Sequence, residues 1–139
     1  MTQVSSTITI NESADAIWLV IGDFGAACSY LVGFLQCNVE GEGVGARRTL
    51  TNRDSGLIVE RLESWNEDEH RLSYALLTDT PFRNCLTTMV LRELGLHRTE
   101  LEWSTIFQVD GLPTSEAVEL MEGALEANCV ALKQIIESR

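Results

Sequence analysis

The chain begins with an alternating segment. Over residues 4–11, Ile8 and Ile10 share one face and Thr7 and Thr9 the other, which predicts a half-buried strand. Asn11-Glu12-Ser13 ends it, and Ser13 is placed to cap a helix with Asp15 in its first turn. Ala16, Ile17, Trp18, Val20 and Ile21 give that helix an apolar side, and Gly22 and Gly25 break it. Ala26 to Phe34 reads as a second short helix. From Gln36 the pattern turns to strands for about 75 residues, divided by turns at Gly41-Glu42-Gly43-Val44-Gly45, Asn52–Gly56, Asn66–Glu69, Thr78–Pro81 and Gly95. Short strands joined by tight turns predict an antiparallel meander. After Gly111-Leu112-Pro113, Thr114 or Ser115 can cap a last helix of about 22 residues. Its stripe Val118, Met121, Leu125, Cys129, Leu132 and Ile136 recurs every three or four positions.

The order of elements defines an α+β domain: a strand, two short helices, five or six strands, and one long amphipathic helix. Residues 1–139 form a single domain, with no repeat, linker or low-complexity tract. A sheet of six or seven strands must bury one face on that helix. A strongly curved sheet cannot touch a straight helix along its whole length, and the gap is a natural ligand cavity.

Charge removes several functions. Ten Lys and Arg against 21 Asp and Glu leave −11, which repels nucleic-acid backbones and anionic lipid heads. No apolar run reaches the roughly 18 residues that span a bilayer. The N-terminal residues carry neither a basic nor a hydrophobic region, so a signal peptide is not expected and a cytoplasmic location is. There Cys28, Cys37, Cys85 and Cys129 would be reduced, and without a CxxC they read as small hydrophobes. His70 and His97 both fall at turns, so no metal site is expected, and no cofactor. The glycine-rich Gly41–Gly45 segment precedes a strand where a phosphate loop requires a helix, so it reads as a hairpin turn.

Three stretches carry a resemblance. Val39–Leu50, Val59–Trp65 followed by an acidic turn and Arg71–Tyr74, and Glu102-Trp103-Ser104 before the closing helix resemble the START-like (SRPBCC) superfamily. More narrowly, they resemble its bacterial polyketide cyclase/dehydrase-like branch. The resemblance spans essentially the whole chain and implies the helix-grip fold, a curved antiparallel sheet wrapped on a long C-terminal helix. The chain is also similar, more distantly, to plant abscisic-acid receptors, whose cavity Arg, Glu and helix Asn have counterparts in Arg48, Glu60 and Asn128. It departs from them where their carboxylate-binding Lys is Val32 here and where Thr80-Pro81-Phe82 replaces their latch. Hormone reception is therefore not carried over.

Strand parity places side chains independently of any resemblance. Arg47, Thr49, Thr51 and Arg53 form a wholly polar face, which turns Arg48 and Leu50 inward. Leu72, Tyr74 and Leu76 face in, with Arg71 and Ser73 out, and the last strand points Leu101, Trp103, Thr105, Phe107 and Val109 inward. Parity does not decide residues 57–65, where the resemblance alone puts Ile58, Glu60 and Leu62 inside. It likewise supplies Cys85, Thr87, Met89 and Leu91.

The expected ligand set is Arg48, Leu50, Glu60, Tyr74, Leu76, Phe82, Cys85, Trp103, Leu125 and Asn128, around a small hydrophobic or amphipathic metabolite. An alternative is a cyclase/dehydratase-type enzyme, with Glu60 as acid or base and Arg48 stabilising an enolate oxygen of a polyketide-like or aromatic substrate. A third is a partner-regulating module whose loops Asp54–Leu57 and Thr80–Arg83 close on ligand. The sequence leaves a homodimer open.

Overall fold

A computed structural model covers residues Met1–Arg139. Seven strands form one antiparallel sheet: β1 (Thr2–Ile10), β2 (Phe34–Glu40), β3 (Arg47–Asn52), β4 (Leu57–Asn66), β5 (Arg71–Leu76), β6 (Phe82–Gly95) and β7 (Arg98–Val109). Their spatial order is β1-β7-β6-β5-β4-β3-β2. After β1 comes the helix α1 (Ala14–Ile21), and after β7 the helix α2 (Thr114–Glu137) closes the chain. The architecture is the α+β helix grip expected from the order of elements.

Local chemistry accounts for the ends of these elements. Ser13 caps α1 by accepting a hydrogen bond from the Ala16 amide. Gly22 ends it, because a Cβ there would lie 2.7 Å from the Trp18 carbonyl oxygen and 3.4 Å from the Trp65 indole nitrogen. The β2–β3 turn holds Gly41, Gly43 and Gly45 all at positive φ, which is why three glycines alternate there. In α2 the buried residues Ala117, Leu125, Cys129, Leu132 and Ile136 make the core-facing stripe.

Three local expectations are corrected. The second helix is a 3₁₀ turn over Phe24–Ser29 rather than a helix over 26–34, and Phe34 already belongs to β2. Pro113 occupies the N-cap of α2, so neither Thr114 nor Ser115 does. Ser73 is buried, not out in water, with its hydroxyl paired to Ser64.

The shortened second helix has a covalent consequence. It ends at Ser29, the chain reverses, and β2 returns past it, bringing the Cα atoms of Cys28 and Cys37 to 5.7 Å. That spacing suits a disulfide, and the two residues form one, so they are not the free thiols expected. Cys85 and Cys129 are free and buried, and burial pushes both thiols up. By chain entropy, closing a loop this short stabilises the fold by about 2–3 kcal/mol.

The position of α2 creates the cavity. It packs on β1 and β7, at one end of the sheet order. Its C-terminal part is pinned there: Lys133 Nζ donates to the Thr9 carbonyl at 2.7 Å, and Glu137 accepts from the Asn11 amide at 2.8 Å. The sheet curves away toward β3 and β4, so the part of α2 around Met121, Ala124, Leu125 and Asn128 faces it across a gap. No helix is long and apolar enough to cross a membrane.

Candidate ligand cavity

Strand register builds the wall of this gap in cross-strand rows. Leu50 pairs with Ile58, and in the next row Arg48 pairs with Glu60 and Glu60 with Leu76. One row further along, Leu62, Tyr74, Thr87 and Thr105 stand side by side across four strands. Directly opposed residues share a face, so each row stands on the concave side of the sheet. The cavity has a volume of about 300 Å³, and 12 of its 16 lining residues are hydrophobic. Leu50, Ile58, Leu76, Phe82, Cys85, Trp103 and Leu125 supply most of the apolar surface.

Two bulges explain where strict alternation fails. The β6–β7 register shifts between Arg83 and Leu86, with Asn84 at a φ of 51°. Phe82 and Cys85, three residues apart, therefore both line the cavity. A second shift lies between Leu62 and Ser64 of β4. Before it Ile58 and Glu60 line the cavity and Leu62 is buried; after it Trp65 stands opposite the inward Leu72.

The charged pair sits at the edge of this wall. Arg48 is only 2% exposed, and its Nε and NH2 groups reach Glu60 Oε1 at 2.8 and 2.7 Å. NH1 donates to the Phe24 carbonyl at 3.2 Å. The guanidinium lies between two rings, 4.1 Å from the Phe24 centroid and 4.5 Å from that of Tyr74. It is therefore fixed behind Glu60 and does not line the cavity, where it was expected to touch ligand. Glu60 does line it.

The two carboxylate oxygens of Glu60 differ. Oε1 takes both Arg48 bonds, while Oε2 has no partner in the protein. The one sealed side-chain polar atom without a partner is Trp18 Nε1, so Oε2 is not closed off and opens toward the cavity. Burial raises the Glu60 carboxyl above its ordinary value, and the Arg48 guanidinium opposes that rise. Tyr74 accepts from Trp103 Nε1 at 3.2 Å, and its own hydroxyl proton meets no acceptor. Burial raises this phenol strongly, with the Glu60 charge adding to the effect, so it stays protonated.

Asn128 has a double position. It lines the cavity, and its Oδ1 accepts from the Val32 amide at 2.8 Å, tying α2 to the loop that bears Leu31 and leads into Phe34 of β2. The Cys28–Cys37 disulfide anchors the same loop from its other side. Of the two loops singled out in the sequence, Thr80–Arg83 contributes Thr80 and Phe82 to the lining, whereas Asp54–Leu57 contributes nothing.

A second, wider concavity of about 410 Å³ lies outside, between the segment Gly22–Gly25, the Gly41–Ala46 turn and Trp65. Its volume exceeds that of the inner cavity, but it lacks a free polar group on a buried wall. The inner cavity joins an apolar lining to a few directed polar atoms, the usual character of a small-molecule site.

A curved seven-stranded sheet gripping one helix over such a cavity defines a START-like helix-grip protein. Residues 1–137 match the family described as polyketide cyclase / dehydrase and lipid transport, and the chain belongs to that family. No curated protein matches it. Among solved structures it is similar to the protein XoxI from Bacillus cereus, with a TM-score of 0.90 and 27% identity over 98% of this chain and 96% of that one. The Zhui aromatase/cyclase from Streptomyces sp. R1128 superposes with a TM-score of 0.80 at 20% identity, covering 99% and 94% of the two chains. A START superfamily protein from Mycobacterium smegmatis gives 0.83 at 19% identity, covering 98% and 97%. At such identities the last two support the fold alone.

Proposed function

We propose that the protein binds a small hydrophobic or amphipathic molecule in the cavity between the sheet and α2. The observation that carries this reading is the pairing of an apolar lining with three free polar groups, Glu60 Oε2, the Tyr74 hydroxyl proton and the Asn128 Nδ2 amide. Leu50, Leu76, Phe82, Cys85, Trp103 and Leu125 form the apolar surface, and Asn128 holds the wall formed by the Leu31–Phe34 loop. Arg48 acts indirectly, by holding the Glu60 carboxylate in place.

The family description, which names cyclase and dehydrase beside lipid transport, supports a second reading as an enzyme. One feature of the site favours it: a buried carboxyl with a raised pKa and an open oxygen is suited to take or give a proton. In that case the Tyr74 O–H, not Arg48, would meet a developing oxyanion, because Arg48 is engaged with Glu60 and the Phe24 carbonyl. As for location, a disulfide persists in oxidising compartments, so in the cytoplasm Cys28 and Cys37 would stand as two thiols.

Trp103 reports occupancy, since it lines the cavity and its indole bonds Tyr74. Saturable quenching of intrinsic fluorescence by 1-methylnaphthalene is expected in the parent and should be lost in a Trp103→Phe variant. An identical response in both proteins would mean that the probe binds elsewhere.

A further inference from the structure

The charge arrangement of the cavity narrows the class of its occupant. None of the 16 lining residues is Lys, Arg or His, and Glu60 is the one carboxylic acid among them. The nearest cation, Arg48, is held on three sides: two donors on Glu60 Oε1, one on the Phe24 carbonyl, and its faces against Phe24 and Tyr74. It cannot swing to a ligand without breaking all of these contacts. A carboxylate entering the cavity would therefore find no counter-charge and would face the open oxygen of Glu60. Burying an unpaired anion there is costly.

The free polar atoms ask for the opposite. Glu60 Oε2 offers an acceptor, the Tyr74 O–H offers a donor beside it, and Asn128 Nδ2 offers a second donor from α2. The strand positions of Glu60 and Tyr74 are diagonal neighbours on one face, since Glu60 pairs with Leu76 and Leu62 with Tyr74. A hydroxyl group is the simplest function that donates to Glu60 Oε2 and accepts from one of these donors. We infer that the cavity takes an uncharged, hydroxyl-bearing molecule, a phenol or alcohol on an apolar skeleton, and excludes the matching carboxylate. This rests on the reading of the cavity as a ligand site. The cavity volume, at the low end for such sites, suits a one- or two-ring skeleton.

Three probes on one skeleton test it by isothermal titration at pH 7 against the intact protein: 2-naphthol, 2-methoxynaphthalene and 2-naphthoate. Naphthalene serves as a reference for the apolar cavity alone. A hydrogen bond to a charged acceptor changes affinity by about ten- to a hundredfold. 2-Naphthol should bind tighter than 2-methoxynaphthalene by that factor, and 2-naphthoate should bind more weakly than naphthalene. In a Glu60→Gln variant the Arg48 charge is no longer balanced, so 2-naphthoate should gain at least about tenfold. The parent series decides without the variant. If naphthalene binds but 2-naphthoate matches or exceeds 2-naphthol, the hydroxyl selectivity is wrong while the ligand site survives. Binding of none of the four overturns both.

Discussion

Replacing Arg48 by Leu should destabilise the protein by about 3–5 kcal/mol, the usual cost of stranding one member of a buried ion pair. Arg48 is 2% exposed and Glu60 14%, so water reaches the carboxylate only through the cavity and is a poor substitute for the missing guanidinium. The Phe24 carbonyl also loses its donor. Adding Glu60→Leu removes the stranded charge, and the double variant should be more stable than Arg48→Leu alone by at least about 2 kcal/mol. Urea denaturation of the three proteins measures this ordering. Its pH dependence follows from the direction of the Glu60 shift. A carboxyl raised above the ordinary 4.5 is fully favourable to folding below that value and loses its contribution as pH rises through the folded pKa. Without Arg48 to oppose it the rise becomes larger. The deficit of Arg48→Leu should therefore be small near pH 4 and grow toward pH 8, a trend the double variant lacks. A deficit independent of pH, equal in the single and double variants, would show that Arg48 matters through packing alone.

The second large effect concerns the cavity itself. Ala124 lies on α2, exposed at one side yet part of the lining, so it marks the mouth. An Ala124→Trp substitution places an indole where a ligand must pass. A cavity of about 300 Å³ cannot hold that ring and a two-ring probe together. Affinity for 2-naphthol should fall by at least a hundredfold, measured by titration calorimetry. The fold should hardly change, because the helix-propensity cost of Trp against Ala is below about 0.7 kcal/mol at an exposed position. Unchanged affinity in a folded variant would place the ligand outside this cavity.

How far the sequence reveals this site depends on the element. The α2 stripe of Leu125, Cys129, Leu132 and Ile136 is legible because one helix packing on one sheet leaves a clean helical period. The inward direction of Arg48, Leu50, Tyr74 and Trp103 is legible because the sequences of β3, β5 and β7 alternate through these positions, although Ser73 on the other face of β5 is buried as well. Alternation cannot locate Phe82 together with Cys85, or settle residues 57–65, because a bulge inserts a residue that the period of two does not foresee. The inward placement of Glu60 came from family resemblance alone. That Arg48 is engaged behind Glu60, and is not a ligand contact, depends on the Phe24 carbonyl 24 residues away in the chain. The disulfide was hidden for a similar reason. A spacing of nine between Cys28 and Cys37 says nothing until the 3₁₀ turn ends at Ser29 and β2 returns beside it.

Two concavities compete for a small apolar molecule, the inner cavity and the outer groove beside Trp65. The decisive measurement is therefore the location of a bound probe. In filtered nuclear Overhauser spectra of the protein saturated with 2-naphthol, ring protons should show contacts to the methyl groups of Leu50, Leu76 and Leu125 and to the Trp103 indole. Contacts to Val39, Val44 and Trp65, with none to those four residues, would contradict the account.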